Sequence, residues 1–199
     1  IAVQEVDGPA AARQIFPQHD FCFTGARALQ NTGFAIRRGI PHRCEADVMG
    51  LSQGDAVRRG AVVVLFPGTA REIHLLGVHL KSGCAQRALD GRNDACRRLS
   101  RQAEPLEAWI DTQARAGRRF ALLGDFNRDL LGERGPVRGD NGMLRSLWQE
   151  INDGDPRGAE LLNTAAGVRF RNCATGQNHT GFIDYILLGG PLRERWIPG

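Results

Sequence analysis

The chain has 199 residues, enough for one domain that buries roughly 70% of the surface its unfolded form exposes. Its 42% hydrophobic and 24% charged residues exclude long disordered tracts. The apolar runs 61–66 and 183–188 are far shorter than the roughly 20 residues of a membrane span. A net charge of +4 mildly favours a polyanionic partner such as nucleic acid, although a GC-rich genome explains the arginine excess equally well.

Apolar patterns predict seven strands and three helices. The strands are Ile1 to Val6, Phe21 to Thr24, Gly33 to Arg37, Ala61 to Phe66, Ile73 to Leu80, Phe120 to Leu123 and Phe182 to Leu188. The helices are Pro9 to Phe16, Asp94 to Ala116 with a kink or break at Pro105, and Met143 to Ile151. The Gly-, Arg- and Asp-rich stretch 128–142 is predicted to be a surface loop on the rim of a site. This order favours two packed sheets, or a sheet covered by helices.

Five cysteines suggest an oxidising compartment. Cys84 and Cys96 flank a short polar loop, and Cys22 and Cys44 bracket another, so each pair is a possible disulfide. Spacing does not decide the connectivity, and Cys173 is left over. We therefore expect a secreted or periplasmic protein, with a reduced intracellular protein as the alternative. No Cys-x-x-Cys pair occurs, so a structural zinc site is not expected.

The apolar run Phe120 to Leu123 ends in Gly-Asp-Phe-Asn at 124–127. Asp125 and Asn127 are two apart, so in an extended segment their side chains lean to the same side. A carboxylate that takes a proton from water or binds metal, beside an amide that holds a phosphoryl oxygen, suits phosphate ester hydrolysis. An ordinary Asx turn explains the same two residues without catalysis.

Other polar groups stand at the ends of apolar strands. His79 ends the strand that begins at Ile73, and Lys81 and Ser82 follow it as candidate phosphate donors. Glu5 and Asp184 lie within apolar runs, where a buried carboxylate needs a hydrogen-bond donor, a cation or a metal. Such oxygen ligands suit Mg²⁺, Mn²⁺ or Ca²⁺ better than zinc.

Taken in order, Gln-Glu-Val, His-Leu-Lys-Ser, Gly-Asp-Phe-Asn and Ile-Asp-Tyr resemble the endonuclease/exonuclease/phosphatase superfamily, which includes DNase I, exonuclease III and neutral sphingomyelinases. The resemblance spans positions 4 to 188. It is closest to bacterial exported-type members with a Lys-Ser-Gly-Cys string after the histidine, a second cysteine before an Arg-Gln…Leu-x-x-Trp-Ile helix, and then Gly-Asp-Phe-Asn-Arg. Here those strings are Lys81 to Cys84, Cys96, Arg101-Gln102, Leu106 to Ile110 and Gly124 to Arg128.

The resemblance implies an α+β fold, a four-layer αββα sandwich, with the site at one edge of the two sheets. It implies that Glu5 binds a divalent metal, Mg²⁺ or else Mn²⁺ or Ca²⁺, and that His79 contacts the scissile phosphate. Asp125 would then activate or orient the attacking water, and Asn127 would stabilise the phosphoryl oxygens. Asp184 would orient a histidine of a later Ser-Asp-His string.

The chain departs from the family pattern at both ends. We expect residues 1–199 to be one domain that lacks the usual asparagine-bearing first strand and the closing Ser-Asp-His string. Asp184 then lacks the imidazole it would orient, so weak or no activity is expected of the sequence as it stands. Cys173 would lack a partner for the same reason.

Three functions remain open at this point. The first is a metal-dependent phosphodiesterase, a monomeric nuclease acting on DNA. The second is a phosphoesterase of the same fold acting on a phospholipid or a small molecule, because loops choose the substrate and the fold does not. A basic groove containing Arg58, Arg59 and Arg128 would favour DNA, with Arg58 as a further phosphate ligand. The third is a binding domain that has lost the reaction.

Overall fold

The computed structural model describes residues 1–25, 30–54, 58–172, 176 and 180–197 and shows an α+β fold. The strands are β1 (Ala2–Val6), β2 (His19–Phe23), β3 (Asn31–Arg37), β4 (His42–Cys44), β5 (Ala61–Leu65), β6 (Ile73–His79), β7 (Phe120–Asp125), β8 (Leu161–Asn163) and β9 (Asp184–Gly189). The α-helices are α1 (Pro9–Ile15), α2 (Asp94–Arg101), α3 (Ala103–Arg115) and α4 (Leu147–Ile151). Short 3₁₀ turns cover Met49–Ser52, Leu130–Gly132 and Gly190–Arg195. Within these ranges, no helix has the length and apolar character to cross a membrane.

The strands form two sheets. The small sheet has the order β1-β3-β2 and is antiparallel, and the large sheet has the order β4-β5-β6-β7-β9-β8. Only β6 and β7 run parallel among the described pairs of the large sheet. A parallel pair needs a long crossover connection, and α2 and α3 provide it. The carboxyl ends of β6 and β7 therefore meet at one edge, where polar side chains are held by a rigid scaffold.

The large sheet is buried on both faces, which is why its strands read as continuous apolar runs. Val62 in β5 and Leu76 in β6 pack against the core formed with the helices. Their neighbours in the sequence, Val63 and Leu75, pack against the small sheet. Gly77 leaves space for the ring of Phe34 from β3, since a β-carbon there would sit 3.0 Å from that ring. The helices α2, α3 and α4 cover the outer face of the large sheet, and α1 lies against β2.

Both possible disulfides are present. The bond between Cys22 and Cys44 links β2 of the small sheet to β4 at the edge of the large sheet. The bond between Cys84 and Cys96 ties the loop after β6 to the first turn of α2. Their loops span 22 and 12 residues. Each bond contributes about 3 kcal/mol by restricting the unfolded chain. Cys173 lies outside the described residues.

Two helix predictions were wrong in their extent. The helix expected from Asp94 to Ala116, with a kink or break at Pro105, is indeed interrupted, but its two parts meet at Gln102. The break precedes Pro105, which lies in the first turn of α3, where a proline removes no hydrogen bond. The helix expected from Met143 begins only at Leu147, because the Ser146 side chain caps it by accepting a hydrogen bond from the Gln149 amide.

Two strands were missed and one loop was misjudged. The edge strands β4 and β8 have three residues each, too few for a recognisable apolar pattern. The stretch 128–142 is not wholly a surface loop, since Arg128 and Glu133 are only 5% and 7% exposed. Their side chains form a buried ion pair, with Arg128 Nε 2.6 Å from Glu133 Oε1.

Candidate active site

Four chain segments bring polar side chains to one edge of the two sheets. His79 and Asp125 are register partners at the carboxyl ends of the parallel strands β6 and β7. Asp125 is also opposite Asp184, the first residue of β9. Glu5 of β1 reaches them from the small sheet, with its Oε1 atom 3.9 Å from Nε2 of His79. The sequence-predicted residues Glu5, His79, Asp125 and Asp184 therefore converge.

A tight turn after β7 places Asp125 and Asn127. The Asp125 carboxylate accepts hydrogen bonds from the Asn127 backbone amide at 2.7 Å and from its side-chain Nδ2 at 3.0 Å. Asn127 Nδ2 also donates to the Leu80 carbonyl at 3.0 Å, so both of its amide protons are used within the protein. Asn127 has φ of 50°, a left-handed conformation that asparagine adopts more easily than most residues. The segment is an Asx turn, and it also orients a carboxylate at the site.

Gly124 makes this turn possible. Its φ is 129°, a backbone conformation that residues other than glycine rarely adopt. A β-carbon at Gly124 would fall far inside contact distance of the Val78 carbonyl oxygen, and 2.7 Å from Nε2 of Gln4. The Gly-Asp string therefore reflects close packing of β7 against β6 and β1.

His79 is 5% exposed, and its ring is held between two carboxylates. Its Nε2 atom lies 3.5 Å from Asp125 Oδ2 as well as near Glu5. Burial lowers the pKa of His79 to about 4, helped by the positive charge of Arg58 and opposed by Glu5. The imidazole is therefore neutral at physiological pH, and its Nε2 can carry a proton for donation.

The pKa of Asp125 is shifted in the opposite direction, upwards. Its pKa is raised to about 6, mainly by burial and also by the negative charges of Asp184 and Glu5, against the hydrogen bond from the Asn127 amide and the positive charge of Arg58. Burial by neighbouring atoms also raises the pKa of Asp184, although this side chain is open to solvent. The expectation that Asp184 is buried was wrong, because β9 begins at this residue and not at Phe182.

Glu5 is aimed by an irregularity in β1. The register of β1 against β3 shifts between Val3 and Val6, and Glu5 has φ of 57°. Bulges of this kind redirect a side chain, and here the carboxylate is 57% exposed and points to the site. Gln4, for which the sequence suggested no role, has a buried Nε2 without a partner in the described part of the chain. The signal available in the sequence was Gly124, because the side chain of Gln4 lies close to it and leaves no space for a β-carbon.

Arg58 lies at the site and is 24% exposed in its side chain. Its Nη2 is 3.8 Å from Glu5 Oε1 and donates to the Gln30 side chain at 2.5 Å. Among the described residues, its charge acts on both His79 and Asp125. It is the cation best placed to meet an anionic ligand there.

The other candidate phosphate donors are not brought to these residues. Lys81 Nζ donates to the Ser82 carbonyl at 2.9 Å, so the two candidates contact each other. Arg59 lies 3.6 Å from Asp47. Arg128 is buried and its charge is paired with that of Glu133, so it does not supply an uncompensated cation to a basic groove.

The donor chemistry fits a hard divalent cation. Within residues 1–25, 30–54, 58–172, 176 and 180–197, no three His, Cys, Asp or Glu side chains form a group that could hold a metal ion. Mg²⁺ does not need such a group, because it keeps several waters and binds through one or two carboxylates plus substrate phosphates. Glu5 is exposed, and in the described part of the chain its ion-pair contacts with Arg58 and His79 are long, at 3.8 Å and 3.9 Å. It therefore has the character of such a ligand.

Comparison with solved structures identifies the fold. D. rerio TDP2 complexed with single strand DNA product aligns with a TM-score of 0.57 and 13% identity, over 95% of this chain and 70% of that one. Truncated Caenorhabditis elegans TDP2 aligns with a TM-score of 0.55 and 13% identity, over 96% and 70%. The human Nocturnin catalytic domain with bound sulfate anion aligns with a TM-score of 0.54 and 12% identity, over 94% and 67%. The chain has the DNase I-like αββα sandwich fold.

The likeness lies in the fold and not in the overall sequence. Neither a protein-family model nor a curated protein sequence matches the chain. In two longer crystal chains of C. elegans TDP2, the match spans 53% and 54% of their length. The activity therefore has to be argued from the residues of the site.

Proposed function

We propose that this protein is a divalent-metal-dependent phosphodiesterase that cleaves nucleic acid, with DNA as its substrate. The observation that carries the proposal is the convergence of Glu5, His79, Asp125 and Asp184 at one edge of the sheets, where burial and the neighbouring carboxylates raise the pKa of Asp125. D. rerio TDP2 of the same fold is complexed with a single strand DNA product, which supports this substrate class.

Asp125 is the general base in this proposal. With a pKa of about 6 it is mostly ionised near neutral pH and still basic enough to accept a proton from the attacking water. Asn127 acts through Asp125, because its two donors fix both carboxylate oxygens. The family resemblance implied that Asn127 donates to a phosphoryl oxygen. For this, its Nδ2 would have to give up its hydrogen bond to Leu80 or to Asp125.

His79 and Arg58 contact the phosphate from two directions. The neutral imidazole donates a hydrogen bond from Nε2 to a phosphoryl oxygen. The guanidinium of Arg58 balances the negative charge of the phosphate. Asp184 keeps the pKa of Asp125 high by repulsion. Glu5 would hold Mg²⁺, or Mn²⁺ or Ca²⁺, which supplies charge neutralisation and leaving-group stabilisation.

The two disulfides favour an exported protein, secreted or periplasmic, and we propose separately that it acts as a monomer. They persist in oxidising compartments and are rare in the reducing cytosol.

The test is nicking of supercoiled plasmid DNA by the purified protein with Mg²⁺ or Mn²⁺. We expect chelation by EDTA to stop the reaction, and Asp125→Ala or Asp125→Asn to lower the rate by about 10²–10⁴-fold. Asp140→Asn, an exposed loop substitution of the same chemistry, is the matched control and should leave the rate unchanged. Nicking that persists in EDTA, or in the Asp125 variants, would refute the proposal.

A further inference from the structure

A cleft leads away from the candidate active site. Its lining includes Asn127, Gln86, Asp129, Thr180 and Gly181. A second cleft shares Gln86, Asp129 and neighbouring residues with the first and continues from it. A ligand chain that places one phosphate at Asp125 therefore has a continuous surface along which to extend.

The second cleft is rich in arginine. Four arginines line it, against one aspartate and one glutamate. Arg128 is neutralised by Glu133, which leaves Arg87, Arg134 and Arg145. No carboxylate in the described part of the chain forms an ion pair with these three, and all are exposed.

Arg134 is already oriented by neutral groups. Its Nη1 donates to the carbonyls of Leu131 at 2.6 Å and Glu133 at 2.7 Å. These bonds hold the guanidinium without cancelling its charge. Solvated surface arginines usually lack such fixed orientation, and orienting them costs conformational entropy on binding.

The loop that carries Arg87 is held rigidly. The buried guanidinium of Arg128 donates to the backbone carbonyls of Cys84 at 2.8 Å and Arg87 at 2.5 Å. The disulfide to Cys96 closes the other side of the loop. The position of Arg87 is therefore set before any ligand binds, which favours specific contact over loose electrostatic attraction.

We propose that Arg87, Arg134 and Arg145 form a second phosphate subsite, the arginine cleft, which binds the backbone of a nucleic acid strand beyond the scissile phosphate. This rests on the proposed function, because the strand is the substrate of the neighbouring site. Guanidinium groups bind phosphate through paired hydrogen bonds, and the polar lining between the two sites suits a sugar-phosphate backbone. The residues lining both clefts include no large exposed hydrophobic side chain that would enter a lipid surface.

The experiment compares two charge-reversal double variants. The test variant is Arg87→Glu with Arg145→Glu. The matched control is Arg37→Glu with Arg71→Glu, which changes the net charge equally at the opposite ends of the sheets. Binding to a fluorescein-labelled single-stranded oligodeoxynucleotide is measured by anisotropy in EDTA. The steady-state rate with bis(p-nitrophenyl) phosphate and Mn²⁺ is measured in parallel.

We expect the test variant to bind the oligonucleotide about tenfold or more weakly, whereas the control stays within about twofold of the wild type. In the alanine versions, log Kd should depend less steeply on log salt by about 0.7 for each phosphate that an arginine no longer neutralises. The rate on the small diester should stay within about twofold, because that substrate does not reach the arginine cleft.

Other results would overturn the subsite. These are unchanged oligonucleotide binding by the test variant, or an equal loss of binding in the control variant. If binding is also measured to phosphatidylserine vesicles and only that binding is weakened in the test variant, the ligand is a lipid. Failure of the proposed function is separate, because it appears as absent diester hydrolysis by the wild type while the anisotropy difference persists.

Discussion

Replacing Asp125 by asparagine should remove activity and, without metal, stabilise the fold. The pKa of Asp125 is raised from 3.8 to about 6, first by burial and then by Asp184 and Glu5. A carboxyl group with a higher pKa in the folded state binds its proton more tightly there. Its contribution to stability is therefore present at low pH and is lost as the pH rises from about 3.8 to about 6.

The size of the gain follows from these values. The difference between 3.8 and 6 corresponds to about 3 kcal/mol, an upper bound for a side chain that is 20% exposed. Asparagine replaces one carboxylate oxygen by a donor, so one of the two hydrogen bonds from Asn127 is lost at a cost of about 1 kcal/mol. We expect Asp125→Asn to raise the free energy of unfolding by about 1–2 kcal/mol above neutral pH.

The assay is urea unfolding in EDTA with the disulfides intact, followed by circular dichroism at about pH 8 and about pH 4. The gain should be present at the higher pH and absent or reversed at the lower pH, because wild-type Asp125 is then protonated in the folded state. A variant that is less stable than the wild type at the higher pH would show that Asp125 supports the fold. The same gain at both values would show that the cost of ionising the buried Asp125 is not the cause.

Three further substitutions test other parts of the structure. Burial, followed by neighbouring carboxyl groups, raises the pKa of Glu107 to about 8. Stability is then lost as the pH rises from about 4.5 to about 8, and Glu107→Gln should stabilise by about 1–2 kcal/mol near pH 9 and little near pH 5 in urea unfolding, after allowance for solvent screening. Gly124→Ala should cost about 2–4 kcal/mol and abolish nicking, whereas wild-type stability would contradict the close approach of β6 and β7. Glu133→Gln leaves Arg128 buried without its counter-charge and should cost about 3–5 kcal/mol in thermal or urea unfolding. The double variant Arg128→Met with Glu133→Leu should cost less than Glu133→Gln. An equal or larger loss would show that the hydrogen bonds made by Arg128 and Glu133 matter more than the unpaired charge.

Local sequence patterns were sufficient to predict the strands whose residues are strongly apolar. The strands β5, β6 and β7 were predicted closely because both of their faces are buried. The strands β4 and β8 were not, because three-residue edge strands depend on pairing with β5 and β9. A strand whose only support is its partner leaves little trace in its own residues.

The break between α2 and α3 shows tertiary contacts overriding a helical pattern. Gln102 is fully buried, and its side chain donates to the Leu51 carbonyl at 2.9 Å and accepts from the Lys81 amide at 2.8 Å. These partners lie 51 and 21 residues away in the chain. Local sequence therefore predicts a kink or break at Pro105 and not at Gln102, since it contains no information on such distant contacts.

The sequence by itself indicated the candidate residues of the site. Glu5, His79, Asp125 and Asp184 stand out because each interrupts or ends an apolar run. Only the tertiary structure decided that they share one edge and that Arg58 joins them. It also decided the pKa values of His79 and Asp125, because burial and charge depend on neighbours contributed by distant segments.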